Sequence, residues 1–252
     1  MIRTLYARSK QGYRTMPFPP GNDTLPERFL GMPFIADGIS GEDIRECVSV
    51  CPTGAIDAPG GNISLDLGKC IFCGACDKAC AGKAVTFTRE YRLASRKRDG
   101  LVLSNEPARE EKDPGKNIKH IFGRSLKLRQ VSAGGCNACE ADINVLNTPG
   151  FDLARFGIQF VASPRHADGL VVTGPVTNNM RSALEKTYNA MASPKLVIAV
   201  GACAISGGPY IDSAEANNGV DTVLPVDLYI PGCPPHPLTI LHGLTSIMER
   251  LK

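Results

Sequence analysis

The sequence predicts an α/β fold, in which a parallel-sheet domain at 126–252 is preceded by a small α+β domain at 41–90. Short apolar runs alternate with helical patterns in the larger segment, as repeated βα units require. Cysteines follow three of these runs in turns, and loops at the carboxyl ends of parallel strands are where open α/β sheets hold ligands. The smaller domain is indicated by six cysteines between Cys47 and Cys80.

Composition limits the function classes. The chain of 252 residues contains no apolar stretch long enough for a transmembrane span and no apolar core of a secretory signal, so we expect a cytoplasmic protein. Cytosolic thiols are kept reduced, so the ten cysteines indicate metal binding more than disulfides. The net charge of +3 is modest, and the densest basic run, Arg92 to Arg98, lies in a predicted linker. Nucleic-acid binding is therefore not expected.

Residues 1–40 contain repeated Pro and Gly with little periodicity. This composition predicts an extended arm that packs on a neighbour, with a disordered tail as the alternative.

The run Cys70-x2-Cys73-x2-Cys76-x3-Cys80 has the spacing of bacterial ferredoxins, in which three cysteines bind one cluster and the fourth binds another. Three closely spaced thiolates favour a 4Fe-4S cluster over zinc, which needs only pairs. The matching upstream motif is incomplete, because Gly41 and Ile44 occupy two of its cysteine positions. The ferredoxin pattern assigns Cys51, which keeps its following proline, to the cluster of Cys70, Cys73 and Cys76.

Cys47 and Cys80 are left without enough companions for a cubane. We predict that they are buried small hydrophobic residues, with a residual metal or redox role as the alternative.

The rest of this segment fits a ferredoxin-like domain reduced to one cluster. The runs 55–59 and 63–67 predict a pair of short strands, and 84–88 predicts another strand. Residues 91–125 are charged and rich in turn formers, which indicates a linker.

The larger domain is expected to contain a flavodoxin-like parallel sheet. Apolar runs predict strands at 126–131, 156–162, 169–173, 196–200 and 226–230. Apolar stripes predict a helix from Met180 to Met191, capped near Thr177, and another after Pro237. No Gly-rich dinucleotide or Walker motif follows a strand, so a nucleotide is not indicated.

Four cysteines belong to the turns of this sheet. Cys136 and Cys139 lie in a glycine turn after the first strand, and Cys203 and Cys233 follow the strands at 196–200 and 226–230. Because these turns meet at one edge of a parallel sheet, four thiols are expected there, which suits a metal cluster.

Five motifs resemble a known family. They are Gly135–Glu140, Ser163–Asp168, Thr173–Thr177, Gly201–Cys203 and Pro231–Pro235. Residues 126–252 resemble the small, cluster-bearing subunit of membrane-bound nickel-iron hydrogenases of the formate hydrogenlyase type, which is homologous to the 20 kDa subunit of respiratory complex I. Complex I subunits carry two adjacent cysteines in the first motif, whereas this chain has Cys136-x2-Cys139, as hydrogenases do.

The resemblance implies that Cys136, Cys139, Cys203 and Cys233 hold the 4Fe-4S cluster closest to a nickel-iron hydrogenase-type large subunit. It further implies an oxidoreductase subunit with no catalytic residues of its own, associated with membrane subunits on the cytoplasmic face of the membrane. A further ferredoxin or a dehydrogenase would be the electron donor. With the ferredoxin-like domain, the chain is expected to relay electrons through two 4Fe-4S clusters.

Two alternatives remain. One is the same relay in a complex I-like, quinone- or ferredoxin-linked oxidoreductase without nickel, and the other is a structural zinc protein. Glu140, at a helix start, is expected to complement the helix dipole, with proton transfer as the alternative. Arg165, His166 and His236 are expected to surround the cluster without binding it, because four thiols already complete the site.

Overall fold

A computed structural model describes residues 2–21, 25–104 and 125–248. Within these residues the α-helices are α1 (Ile2–Gln11), α2 (Gly41–Ser49), α3 (Ala75–Ala79), α4 (Ala138–Val145), α5 (Asn178–Asn189), α6 (Ala202–Ser206) and α7 (Pro237–Ile247). The strands are β1 (Pro33–Ile35), β2 (Ile56–Asp57), β3 (Ser64–Asp66), β4 (Val85–Phe87), β5 (Val102–Ser104), β6 (Leu126–Ser132), β7 (Ile158–Phe160), β8 (Gly169–Thr173), β9 (Leu196–Val200) and β10 (Leu228–Ile230).

The larger domain is built on a five-stranded parallel sheet in the order β10-β9-β8-β6-β7. Numbered within the domain, this is the 2-1-3-4-5 order of flavodoxin-like folds, which confirms the predicted fold class. Each residue of β8 and β9 is buried, as expected for a parallel sheet covered on both faces. The order reverses at β6, whose neighbours are β7 and β8. A ligand site is therefore expected at the carboxyl end of β6.

Helices cover both faces of this sheet. α7 contributes Ile240 and Leu244 to a core with Leu128 and Ile198 of the strands. On the opposite face, Leu184 of α5 and residues of α6 share a core with the small domain. The two helices predicted from apolar stripes are confirmed as α5 and α7.

The small domain contains the predicted strand pair. β2 and β3 are antiparallel, with Ile56 opposite Leu65, and β4 is the strand predicted at 84–88. Two more strands come from the flanking segments. β1 pairs with β4, and β5 pairs with β3. The packed unit therefore extends beyond 41–90 in both directions.

Residues 91–104, expected to act as a linker, are packed against the larger domain. Ser95 exchanges two backbone hydrogen bonds with Tyr229, of 3.0 and 2.8 Å, and so covers the edge strand β10. Leu101 is fully buried. The remainder of the predicted linker, 105–124, lies outside the described residues.

The arm also contacts its own chain. After α1, the Met16 amide donates to the Gly150 carbonyl at 2.8 Å, and Arg155 Nη2 donates to the Met16 carbonyl at 2.7 Å. Over the described residues, no helix has both the length and the apolar character to cross a membrane.

Polar contacts fix the small domain to the sheet domain. Arg98, in the segment 91–104 that packs on the larger domain, binds both carboxylate oxygens of Asp66 at 2.8 and 2.6 Å. The Ser206 hydroxyl of α6 donates to the Gly68 carbonyl at 2.8 Å. Gly68 must remain small, because an added Cβ would lie 2.7 Å from Ile205 Cγ2. These contacts hold the two parts in a defined arrangement.

Candidate metal centres

Four thiols of the small domain line one small cavity, together with mainly apolar residues. The thiols are those of Cys51, Cys70, Cys73 and Cys76. Their neighbours in the wall are Pro52, Thr53, Ala55, Ile56, Leu65, Ile71, Gly74, Ala75 and Phe87. The structure thus places in one wall the four cysteines that the ferredoxin spacing groups together.

The backbone around this cavity is shaped to approach sulfur. Gly74 has a φ of 69° at the start of α3, a left-handed conformation that glycine adopts without strain. The amide of Ala55 donates to Cys51 Sγ at 3.2 Å, and the amide of Phe72 donates to Cys70 Sγ at 3.3 Å. Such hydrogen bonds stabilise the thiolate form that binds metal.

Electrostatics shows that these thiols suit a cationic group. The pKa of Cys70 is raised to about 12, mainly by burial; the Phe72 hydrogen bond lowers it, and the neighbouring sulfurs of Cys76, Cys51 and Cys73 contribute to the rise. Burial likewise raises the pKa of Cys76 to about 11. Four adjacent thiolates repel one another in an apolar wall unless positive charge compensates them. A bound iron cluster supplies that charge, so the donor set fits one.

Cys47 and Cys80 are buried, as predicted, and neither lines that cavity. Both thiols point at the main chain of Cys76: Cys80 Sγ donates to the Cys76 carbonyl at 3.0 Å, and Cys47 Sγ does so at 3.7 Å. The Ala84 amide in turn donates to Cys80 Sγ at 3.4 Å. The pair therefore supports the peptide of Cys76 without lining the cavity.

We predict that replacing Cys47 and Cys80 together by alanine leaves the iron content unchanged, because neither thiol faces the cavity. The lost packing should lower the free energy of unfolding by about 1–3 kcal/mol. Iron analysis and denaturant unfolding would measure the two effects. Cys51→Ala is the matched control and should remove about four irons. A loss of iron from the double variant would instead make Cys80 the fourth ligand.

The second set of thiols lies in the turns that follow β6, β9 and β10. Cys136 precedes Asn137, which has a φ of 72° and is the cap residue before α4. Cys139 is in the first turn of that helix. Cys203 is the second residue of α6, the helix that begins directly after Gly201. The amides of Gly201 and Ala202 donate to the carbonyls of Ile230 and Gly232, both at 2.8 Å, and so join the β9 turn to the β10 turn that carries Cys233.

The turns that carry these four thiols meet at the carboxyl edge of the sheet, where a Cβ added at Gly201 would lie 2.6 Å from Cys139 Sγ. Burial raises the pKa of Cys139, and the charges of Glu140, Cys203, Cys233 and Cys136 raise it further. The pKa of Cys203 is raised to about 11, mainly by burial and then by the charges of Cys233 and Cys136. Like charges raise one another's pKa when they lie close together in a poorly solvated place. The donor set again fits a cationic cluster.

The described side chains form no single-ion site. Among the described residues, no three His, Cys, Asp or Glu side chains converge in a way that would hold one ion. Zinc requires its thiolates at about 2.3 Å from one centre. A cubane carries an iron at each of several corners and so accepts thiolates that are spread around it. Four thiolates in each set are donors of the kind that hold a 4Fe-4S cluster.

The Glu140 side chain links the first turn of α4 to two strands of the sheet. It is buried, and its Oε1 accepts a hydrogen bond of 2.6 Å from Thr173 Oγ1, at the end of β8. Although burial alone would raise the pKa of Glu140, hydrogen bonds from Ser132 and Thr173 lower it. These two partners were not identified from the sequence, where only the position of Thr173 at a strand end could have suggested one. The carboxylate is thus held by the sheet next to Cys139.

The three other residues considered near the cluster differ in position. Arg165 and His166 lie in the 3-10 turn Pro164–His166, and neither is buried. His236 is half-buried, and its Nδ1 accepts the Leu238 amide at 3.2 Å as the cap of α7. Its ring contacts Phe29 of the arm edge to face at 5.3 Å between centroids. Among the three, His236 is closest in sequence to a cysteine turn and has a structural task there.

One groove lies between the small domain and the turn that carries Cys233. It is bounded on one side by Ile71 and Phe72, which lie between Cys70 and Cys73, and on the other by the turn 231–237 that contains Cys233. Residues 28–30 of the arm close it. Of the cysteines in the two sets, Cys233 lines this groove, and the segment between Cys70 and Cys73 forms part of its wall.

Comparison with known proteins gives a consistent picture. Residues 136–247 match the family described as NADH ubiquinone oxidoreductase, 20 Kd subunit. A protein of Pyrococcus furiosus described as a probable membrane-bound hydrogenase subunit is 43% identical over 151 residues, covering 60% of this chain and 90% of the relative. A subunit of the NADH-quinone oxidoreductase of Bacteroides fragilis is 45% identical over 133 residues, covering 52% and 67%. Formate hydrogenlyase subunit 7 of Escherichia coli is 45% identical over 129 residues, covering 51% of each chain.

Proposed function

Because the chain belongs to the family of the 20 kDa subunit of NADH ubiquinone oxidoreductase, we propose that it is the electron-transfer subunit of a membrane-associated hydrogenase complex. Its relatives are subunits of oxidoreductases. In this proposal the chain relays electrons through two 4Fe-4S clusters to or from the nickel-iron site of a partner large subunit. Other partners would be the membrane subunits of the same complex, on the cytoplasmic face, and a ferredoxin or dehydrogenase donor.

The observation that carries the proposal is the presence of two complete sets of four cysteines, one set in a single cavity wall and the other in turns at the carboxyl edge of the sheet. Cys51, Cys70, Cys73 and Cys76 would hold one cluster, and Cys136, Cys139, Cys203 and Cys233 the other. A bound 4Fe-4S cluster exchanges single electrons with little rearrangement. The chain supplies apolar walls and amide donors to sulfur, which set the potential of such a centre.

Each of the two domains has its own proposed role in the electron relay. The ferredoxin-like domain, 41–90 with the strands added from its flanks, would receive electrons from the donor. The domain 126–252 would pass them to the large subunit, since its thiols lie at the sheet edge where such folds hold ligands. The contacts of Asp66 with Arg98 and of Gly68 with Ser206 would keep the two centres at a fixed separation.

The direct test is the metal content of protein purified without oxygen. We expect about eight irons and eight sulfides per chain, because eight of the cysteines belong to complete sets. About twelve irons would show a third cluster and overturn the assignment of Cys47 and Cys80. About four irons with one zinc would favour the structural zinc alternative for one of the two sets.

A complex I-like oxidoreductase without nickel is the second candidate, because the Bacteroides fragilis relative named above belongs to an NADH-quinone oxidoreductase. The spacing Cys136-x2-Cys139 favours the hydrogenase, since it resembles the first motif of hydrogenases and not the two adjacent cysteines of complex I subunits. Nickel analysis of the complex that copurifies with a tagged chain distinguishes the two. A large subunit with iron-sulfur partners but no nickel would establish the second candidate.

A further inference from the structure

The helix α1 presents an apolar face that no other described part of the chain covers. None of its residues is buried, and Ile2, Leu5 and Tyr6 are 83%, 65% and 62% exposed. Their spacing of three and four residues places them on one side of the helix. Tyr13, just beyond the helix, is 90% exposed. Large apolar side chains exposed together indicate a contact surface.

The same segment carries a one-sided charge. Its cations are Arg3, Arg8, Lys10 and Arg14, and residues 1–21 contain no Asp or Glu. Three of these cations, Arg3, Arg8 and Lys10, are in α1, and all are exposed. They flank the apolar face, because a helix turns by about 100° per residue. The surface therefore fits a partner with an apolar interior and negative charges at its surface.

The base of this segment is fixed to the larger domain. The hydrogen bonds of Met16 with Gly150 and Arg155 hold the chain there, and the ring of Phe18 contacts that of Phe156 edge to face at 5.4 Å. α1 thus extends from a defined anchor on the domain that carries the second set of thiols.

We propose that α1 lies on the surface of a bilayer that contains anionic lipid. An interfacial helix has Lys and Arg on its polar side and apolar or aromatic residues on the other, and its apolar face enters the boundary of headgroups and acyl chains. Anionic lipid adds attraction for each nearby Lys or Arg. A ten-residue helix is only about 15 Å long, and one face of it falls well short of the roughly 1,000 Å² that a stable protein interface needs.

This inference does not rest on the electron relay, because lipid binding by α1 requires neither cluster. It adds a direct lipid contact to the attachment through partner subunits.

The test is flotation of the purified full chain with vesicles. Vesicles of phosphatidylcholine containing phosphatidylglycerol should carry the wild-type chain upward, whereas pure phosphatidylcholine should carry little of it. Raising the salt concentration should release the bound chain, because exposed charges are screened. Iron content measured on each sample shows that the protein remains loaded and folded.

Two variants address the two features of the surface. Arg3→Glu with Arg8→Glu should reduce binding to the anionic vesicles at least about tenfold. Leu5→Asp with Tyr6→Asp should do the same by removing the apolar face. The matched controls lie outside α1. Lys78→Glu with Lys127→Glu makes the same change of charge at two other exposed positions. Tyr210→Asp changes an exposed aromatic residue elsewhere on the surface. Both controls should bind as the wild type does.

Wild-type protein that stays at the bottom of the gradient with anionic vesicles would overturn the proposal, as would α1 variants that float normally. If the α1 variants bound vesicles like the wild type but no longer copurified with other subunits, α1 would be a protein contact instead. If the α1 variants and the control variants all floated equally and less than the wild type, the cause would be a general effect of charge. That result would also overturn the proposal.

Discussion

Cys73→Ser is expected to lose at least about tenfold in turnover with the physiological electron donor, because a missing relay centre has no replacement within the chain. The assembled complex should still exchange hydrogen isotopes at the large subunit, since that reaction needs no net electron delivery. The structural reason is position. Cys73 is an exposed member of the thiol set in the small domain, and the residues before it, Ile71 and Phe72, face the groove shared with the Cys233 turn.

Cys47→Ser is the matched control, because it makes the same chemical change at a buried thiol of the same domain that lies outside the cavity. It should retain both donor-coupled turnover and isotope exchange. Cys139→Ser should weaken both reactions, since it removes a thiol at the sheet edge proposed to meet the large subunit. Donor-coupled turnover near the wild-type rate in Cys73→Ser would remove the ferredoxin-like domain from the main electron path.

Regular elements of the larger domain were predictable because their signals are local. The runs at 169–173 and 196–200 are apolar at nearly every position, and the structure has strands with the same bounds. The stripe from Met180 to Met191 has the period of a helix, and α5 spans Asn178–Asn189. The strand order also agrees, because alternating βα units restrict the possible topologies.

Elements defined by distant pairing were missed. β1 and β5 are three residues long, too short to show a period, and each becomes a strand only by pairing with β4 or β3. The same holds for Ser95, whose bridge to Tyr229 turns part of a predicted linker into the cover of a sheet edge. Charge and turn residues in 91–98 gave no sign of this partner.

The candidate sites divide in the same way. Spacing alone grouped Cys51 with Cys70, Cys73 and Cys76, and the structure places these thiols in one cavity wall. Support from outside the motifs was invisible in the sequence. Glu140, in α4, accepts a hydrogen bond from Thr173 at the end of β8, and no local sequence pattern specifies this pair. The contact between Gly201 and Cys139 likewise depends on how two turns meet in space.

That contact leads to a second large expected effect. In Gly201→Ala, the added Cβ would lie 2.6 Å from Cys139 Sγ, so we expect the thiol to be displaced from its place in the set. Gly201 has φ 91° and ψ 155°, a conformation essentially restricted to glycine, so strain of about 1–3 kcal/mol adds to the clash. Iron should fall from about eight to about four per chain, with the ferredoxin-like centre retained. Iron and sulfide analysis with electron paramagnetic resonance of the reduced protein would measure this loss.

The control for strain is Gly61→Ala. Gly61 has a φ of 87°, close to that of Gly201, but an added Cβ meets nothing within 4 Å. This variant should keep about eight irons, although its stability falls through the backbone strain. Because both variants place alanine at a similar φ, a difference in iron content isolates the contact with Cys139. Full iron in Gly201→Ala would mean that Cys139 is not a ligand, and equal losses in both variants would trace the effect to backbone strain instead of the thiol.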